Sequence, residues 1–166
     1  MIITPKQPRN AKTRSSLSKL VPYMLRGKGT ERCTWYMAGN LEGLDRREDA
    51  ELAVEVMEVL QQGNVKAKGN KTYHLVISFH PEDRRLTPAE LQDVVHRAVG
   101  AAGLGEHQYI PVRHSEQEHE HLHVAVNKIH PETLKIHHPY KAVPAFQALA
   151  STLEQELGVH RVDRTR

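Results

Sequence analysis

The sequence predicts an α+β domain, a central antiparallel sheet with helices packed on one face and the other face left open for a ligand. Three observations carry this. Lys71 to Phe79 and His121 to Asn127 have the β-branched content or the strict alternation of strands, several segments repeat apolar residues at helical spacing between capping signals, and the two kinds of element are mixed along one compact unit. With 166 residues, 39% apolar and 26% charged, the chain fits one globular domain with a single core. Its expected extent is 1–158, with 159–166 as a basic polar tail or the start of a linker.

In chain order, Ser15 or Ser16 caps a helix carrying Leu17, Leu20, Val21, Met24 and Leu25, with Gly27 as its terminator. Pro22 within it removes a hydrogen bond and crowds the preceding turn, which predicts a kink or a fresh start near Tyr23. Arg32 to Ala38 reads as a short strand. Asp49 to Gln62 is an amphipathic helix with Leu52, Ala53, Val56, Val59 and Leu60 on its apolar face, ended by Gly63 and Asn64. Lys71 to Phe79, K-T-Y-H-L-V-I-S-F, is a central strand. Thr87 as cap, Pro88 at the first position and Glu90 closing a capping box start a helix that reaches about Ala102. His107 to His114 and His121 to Asn127 form a hairpin across the acidic stretch Ser115 to Glu120. Val143-Pro144 opens a last helix through Phe146, Leu149, Leu153 and Leu157, with Gly158 as its stop.

Several function classes drop out. No apolar stretch approaches the roughly 20 residues of a membrane span and no signal-peptide core opens the chain, so a cytoplasmic protein without membrane insertion is expected. The single cysteine, Cys33, rules out an internal disulfide and a cysteine zinc cluster. Gly63 to Thr72 superficially looks like a phosphate-binding loop, but Asn70 stands between glycine and lysine, and a helix precedes where a strand is needed. Net charge is only +3, yet Lys6, Arg9, Lys12, Arg14, Lys19, Arg26 and Lys28 all precede the first acid, Glu31, and such a basic arm suits a polyanion partner.

The chemistry concentrates in H-S-E-Q-E-H-E-H-L-H-V-A-V-N, residues 114 to 127. Alternation from Leu122 puts His121, His123, Ala125 and Asn127 on one strand face and Leu122, Val124 and Val126 on the other. Histidines two apart on a strand point the same way about 6 to 7 Å apart, and the hairpin returns His114 beside them, giving three imidazoles able to close on one cation. An isolated H-x-H is more often a pair of solvated loop or edge residues. The twelve histidines of this chain, six of them between 107 and 130, favour a metal site.

The basic N-terminus with a tyrosine late in its first helix, the Y-H-L-V-I-S-F strand, and H-x-E-x4-H-x-H-x3-N-K-I-H-P together resemble the relaxase domain of conjugative plasmids, the MOB-P class of the HUH endonucleases. L-S-K-L-V-P-Y, G-E-H-Q, H-H-P-Y and L-E-Q-E-L-G-V extend the resemblance along almost the whole chain; Pro22 departs from the lysine or polar residue expected there. The resemblance implies the HUH sheet with its site on the open face, and His114, His121 and His123 as ligands of a divalent metal ion. Tyr23 would be the nucleophile of a transesterification that nicks one strand at an origin of transfer, leaving a 5′-phosphotyrosine. It further implies Glu116, where the family often has aspartate, as a residue that orients a ligand or takes a proton, and Ser78 as a DNA contact. His74 on the same strand face is a second-shell position or a satisfied sheet histidine. Asn127 suits a phosphate, and Lys12, Arg14, Lys19 and Arg26 supply the basic groove for single-stranded or locally melted DNA.

Three imidazoles favour Mn, Co, Ni or Zn by softness, while Mn or Mg serves through abundance. Expected partners are plasmid DNA at the origin of transfer, accessory relaxosome proteins and a type IV secretion coupling protein. The expected location is the bacterial cytoplasm, followed by passage to the recipient cell attached to DNA. Two other readings share the histidines: a rolling-circle replication or transposition HUH nuclease, whose tyrosine usually lies in a helix after them, and a metal-stabilised single-strand DNA or RNA binder without chemistry.

Overall fold

Alternation along the strands sorts side chains onto two faces of one sheet, and both faces find helical cover. The structure, a computed structural model, describes residues 1–6, 16–26, 33–116 and 119–164. In chain order the elements are β1 (Ile2–Pro5), α1 (Leu17–Arg26), β2 (Cys33–Tyr36), α2 (Ala50–Gly63), β3 (Thr72–Ser78), α3 (Pro88–Ala101), β4 (Tyr109–Glu116), β5 (His119–Asn127) and α4 (Ala142–Leu157). The five strands form an antiparallel sheet in the order β1-β3-β5-β4-β2. The expected strands, hairpin and helices are present. β1, with only four residues of I-I-T-P, is too short to show a period.

On one face Tyr73, Leu75 and Ile77 of β3 and Leu122, Val124 and Val126 of β5 are buried beneath α3 and α4, with Leu91, Val95, Phe146 and Leu153 at the centre of the cluster. Thr87 accepts a hydrogen bond from the Glu90 backbone and Glu90 returns one, so the capping box forms as read. Gly158 ends α4 at φ +65°, a conformation that glycine adopts without strain. Beyond it, Val159 is buried, Val162 N–H donates to Glu154 at 3.0 Å, and the Arg164 guanidinium pairs with the buried Glu154 carboxylate. The basic stretch 159–164 thus lies back on α4.

The second face amends the expectation of helices on one face only. Ile110, Val112 and Ala125 on that face pack against Leu17, Val21 and Met24 of α1 and Ala53, Val54 and Met57 of α2. Among the described residues, helix cover on this face lies over Ile110, Val112 and Ala125. α2 is also rotated from its expected orientation: Ala50, Ala53, Val54 and Met57 are buried, while Leu52, Val56 and Val59 are exposed. Small residues allow the helix axis to approach the sheet and α1 closely, and this packing outweighs the larger apolar area of the other stripe.

α1 runs unbroken through Pro22 rather than starting again at Tyr23. Its buried stripe 17, 21, 24 fixes it to the sheet, so tertiary packing outweighs the lost hydrogen bond. Its N-terminus is tied to α2, where Glu58 accepts from the Ser18 backbone N–H at 3.0 Å and places a carboxylate at the positive end of the helix. Glu58→Ala is expected to cost about 1 kcal/mol, read as a lower midpoint in urea unfolding with an unchanged slope.

Candidate active site

Cross-strand register assembles the histidines. Ser78, His121, His114 and Cys33 occupy one row across β3, β5, β4 and β2, and Val76, His123 and Val112 occupy the next row on the same face. Since directly opposed residues share a face, His114, His121 and His123 all project from the same side of the sheet, just beyond the edge of α1. The ring centroids of His114 and His123 are 4.7 Å apart, and those of His121 and His123 6.5 Å.

β3 holds two of these rings from the side. Ser78 Oγ lies 3.1 Å from His121 Nδ1, and His74 Nε2 lies 3.0 Å from His123 Nδ1. With Nδ1 engaged in both, Nε2 is the nitrogen each ring offers to a cation, which is how ligand histidines are usually oriented. Burial, followed by the nearby His74, His114, Lys6 and His121, lowers the pKa of His123 to about 3, and burial with Lys6 lowers that of His74 to about 4. Both rings are therefore neutral near neutral pH, as metal ligation and a neutral acceptor for its N–H require.

His114 is placed differently. It is 5% exposed, and its Nε2 is in contact with the backbone carbonyl of Met24 in α1. Among the described residues no three side chains of His, Cys, Asp or Glu already stand in a metal-binding arrangement. By its chemistry the donor set suits a divalent cation: three imidazoles on one sheet face in neighbouring register positions, two with Nδ1 anchored, while His114 Nε2 is engaged by the Met24 carbonyl.

Tyr23 is the residue before Met24, so its backbone adjoins the carbonyl that meets His114. Tyr23 is 46% exposed. Lys19, Tyr23 and Arg26 lie four and three residues apart, so the phenol is flanked by two exposed cations on the outward stripe of α1. The other tyrosines lie elsewhere. Tyr36 and Tyr73 are pushed up to about 12, first by burial, and burial also raises Tyr109, whose hydroxyl lies 3.4 Å from His96 Nδ1; Tyr140 is exposed in the segment before α4.

Some expected contributors stand apart. Asn127 shares the sheet face but is 0% exposed beneath α2, donating to the Met57 carbonyl and Gln108 Oε1 at 3.2 Å and accepting from the Ile129 N–H at 3.0 Å. It braces the β5 end and offers a DNA phosphate no surface. Ser78 bonds to a ligand candidate instead of standing alone as a DNA contact. Glu116 pairs with His119 at the hairpin end, with its side chain outside the described residues, as are Lys12 and Arg14. The Met24 carbonyl and the cap from Glu58 had no signature in the sequence, since one is backbone and the other an ordinary helix acid.

A family model described as relaxase, MobA/VirD2-like, nuclease domain matches residues 23–159. Among curated proteins, Protein TraI of Escherichia coli is 34% identical over 93% of this chain and 20% of its own length, and a second Protein TraI of Escherichia coli is 38% identical over 64% of the chain and 14% of its own. Protein MobA of Acidithiobacillus ferrooxidans is 34% identical over 48% of the chain and 19% of its own length. The chain thus spans a fifth or less of these relatives. With a match that begins at Tyr23 and takes in all three histidines, the chain belongs to the relaxase family, as a nuclease domain of the MobA/VirD2-like type.

Proposed function

We propose that this domain nicks one DNA strand at a plasmid origin of transfer and retains the 5′ end on Tyr23 as a strand transferase. The observation that carries this reading is the exposed Tyr23 phenol between Lys19 and Arg26, one residue from the Met24 carbonyl that meets His114. Tyr23 Oη forms the new bond to phosphorus, the 3′-oxygen leaves and takes up a proton, and the phenol proton passes to a base. Exchanging one phosphodiester for another keeps the bond energy for rejoining.

His121, His123 and His114 would hold a divalent cation, with Ser78 and His74 fixing the first two rings. Such an ion supplies charge stabilisation at the scissile phosphate, contributing several kcal/mol, and helps a phenol whose ordinary pKa is about 10. Manganese or magnesium is the proposed occupant. Lys19 and Arg26 neutralise phosphates flanking the bond to be cut. No helix among the described residues is long and apolar enough to cross a membrane. We place the domain in the bacterial cytoplasm with relaxosome proteins and a type IV coupling protein, and then in the recipient cell on its DNA. The rolling-circle alternative wants a tyrosine in a helix after the histidines, and α4 has none.

The test incubates the protein with fluorescent single strands spanning candidate transfer origins in Mn2+ or Mg2+, followed by a denaturing gel. A covalent adduct on one of them that disappears with EDTA is expected. Protein that binds these strands yet forms no adduct on any of them leaves only the non-catalytic binding module.

A further inference from the structure

A positively charged concavity begins where the histidines end. It has a volume of about 160 Å³ and is lined by Lys6, Asn70, Thr72, His74, Lys128 and His138, with Tyr73 and Pro139 completing the wall. Among the described residues no carboxylate lines it. Lys6 continues the β1 ladder, donating its backbone N–H to the His74 carbonyl at 2.8 Å, and Lys128 follows β5, donating its own to the Lys71 carbonyl at 2.8 Å. Two ammonium groups from opposite sides of β3 therefore meet one cavity. Burial lowers the Lys128 pKa, and its Nζ lies 3.5 Å from His138 Nδ1, a neutral acceptor, with no carboxylate paired to it among the described residues. Asn70 Oδ1 accepts from the Thr72 N–H at 2.9 Å, which leaves its amide NH2 as a further donor. Gathering two cations without an acid costs self-repulsion, and an anion in the cavity removes that cost.

Two further features indicate which anion. His74 belongs both to this wall and to the histidine cluster, through its 3.0 Å contact with His123, so the cavity adjoins that cluster two residues along β3 from the Val76–His123 pair. Directly after the wall residue Pro139 comes Tyr140, 81% exposed, with the Lys141 ammonium 5.3 Å from its ring centroid. An aromatic ring held out beside a cationic hollow is how proteins grip single strands, with the phosphate in the hollow and a base on the ring.

We infer that Lys6, Lys128 and His138 form a backbone-phosphate subsite for a single DNA strand, with Tyr140 stacking a neighbouring base. The inference rests on the proposed strand substrate but not on the metal or on Tyr23. Lys6 belongs to the basic arm expected from sequence to meet a polyanion, whereas Lys128 was not among the expected DNA contacts, and the subsite lets the domain hold the strand at the β1–β3 end of the sheet face that α1 covers over β4 and β5.

The test is fluorescence anisotropy of a fluorescein-labelled oligo(dT) with the full chain in EDTA, titrated across salt concentrations. Relative to wild type, the combined Lys6→Ala and Lys128→Ala variant should bind about tenfold more weakly at low salt, with the slope of log affinity against log salt reduced by about one. Tyr140→Ala should bind about tenfold more weakly at every salt concentration with the slope unchanged. Arg84→Ala with Arg97→Ala removes equal charge on the α3 side, where both pair with glutamates, and controls for net charge. If the lysine variant matches this control in affinity and slope, the phosphate subsite is wrong although the strand reading stands. A Tyr140→Ala protein that binds like wild type removes the stacking step. Wild-type protein that fails to bind oligo(dT) overturns both the subsite and the strand-binding reading beneath it.

Discussion

Tyr23→Phe is expected to abolish the covalent adduct, a loss of at least about a thousandfold in cleavage rate, because removing a nucleophile removes the reaction path itself. Strand affinity should change little. Tyr23 is 46% exposed on a helix held by its other face, and phenylalanine keeps the ring, so the fold and the cations at Lys19 and Arg26 remain. Running the denaturing gel and the anisotropy titration on one preparation separates the outcomes. Lost adduct with retained binding assigns the attack to Tyr23. Retained adduct sinks the assignment and directs attention to Tyr140, the other exposed phenol, whereas Tyr36, Tyr73 and Tyr109 have pKa values raised by burial.

The place of Tyr23 on a helix between Lys19 and Arg26 was legible because a helical period and a run of cations are local properties, while its role as nucleophile comes from the family resemblance. Strand period likewise put His121, His123, Ala125 and Asn127 on one face, and the sheet has them there. Period does not report depth, however. Asn127 lies on the expected face yet is sealed, because α2 crosses that end of the sheet and no local pattern states where a helix will cross. The same limit explains α2 itself: the sequence displays Leu52, Val56 and Val59 as an apolar stripe, but the close approach allowed by Ala50 and Ala53 turns the other stripe inward. Register is also a product of the whole sheet. Ser78 opposite His121, and His74 bonded to His123, depend on β3 lying beside β5, an order that the intervening α3 conceals. Lys128 was in plain view after Asn127, but its partner Lys6 is 122 positions away, and only the meeting of the two makes a site.

His123→Ala is expected to weaken Mn2+ binding by at least about a hundredfold, since disturbing even the residues that orient a ligand histidine costs 10- to 100-fold. Isothermal titration calorimetry on the full chain checks this, and oligo(dT) affinity in EDTA should be unaffected because the lysines are untouched. Acid stability gives an independent readout. His123 and His74 have folded-state pKa values of about 3 and about 4, below the ordinary value of 6.5, so between those limits the unfolded chain binds more protons than the folded one. Stability of the metal-free protein is therefore unaffected by these groups above pH 6.5 and falls as pH drops from 6.5 toward 4, by on the order of 3 kcal/mol for each ring. In His123→Ala that decline should flatten by roughly half, measured by urea unfolding at successive pH values. A merely structural His123 would flatten the acid profile and leave Mn2+ affinity intact, so joint loss of both marks the ring as a ligand held neutral by its burial.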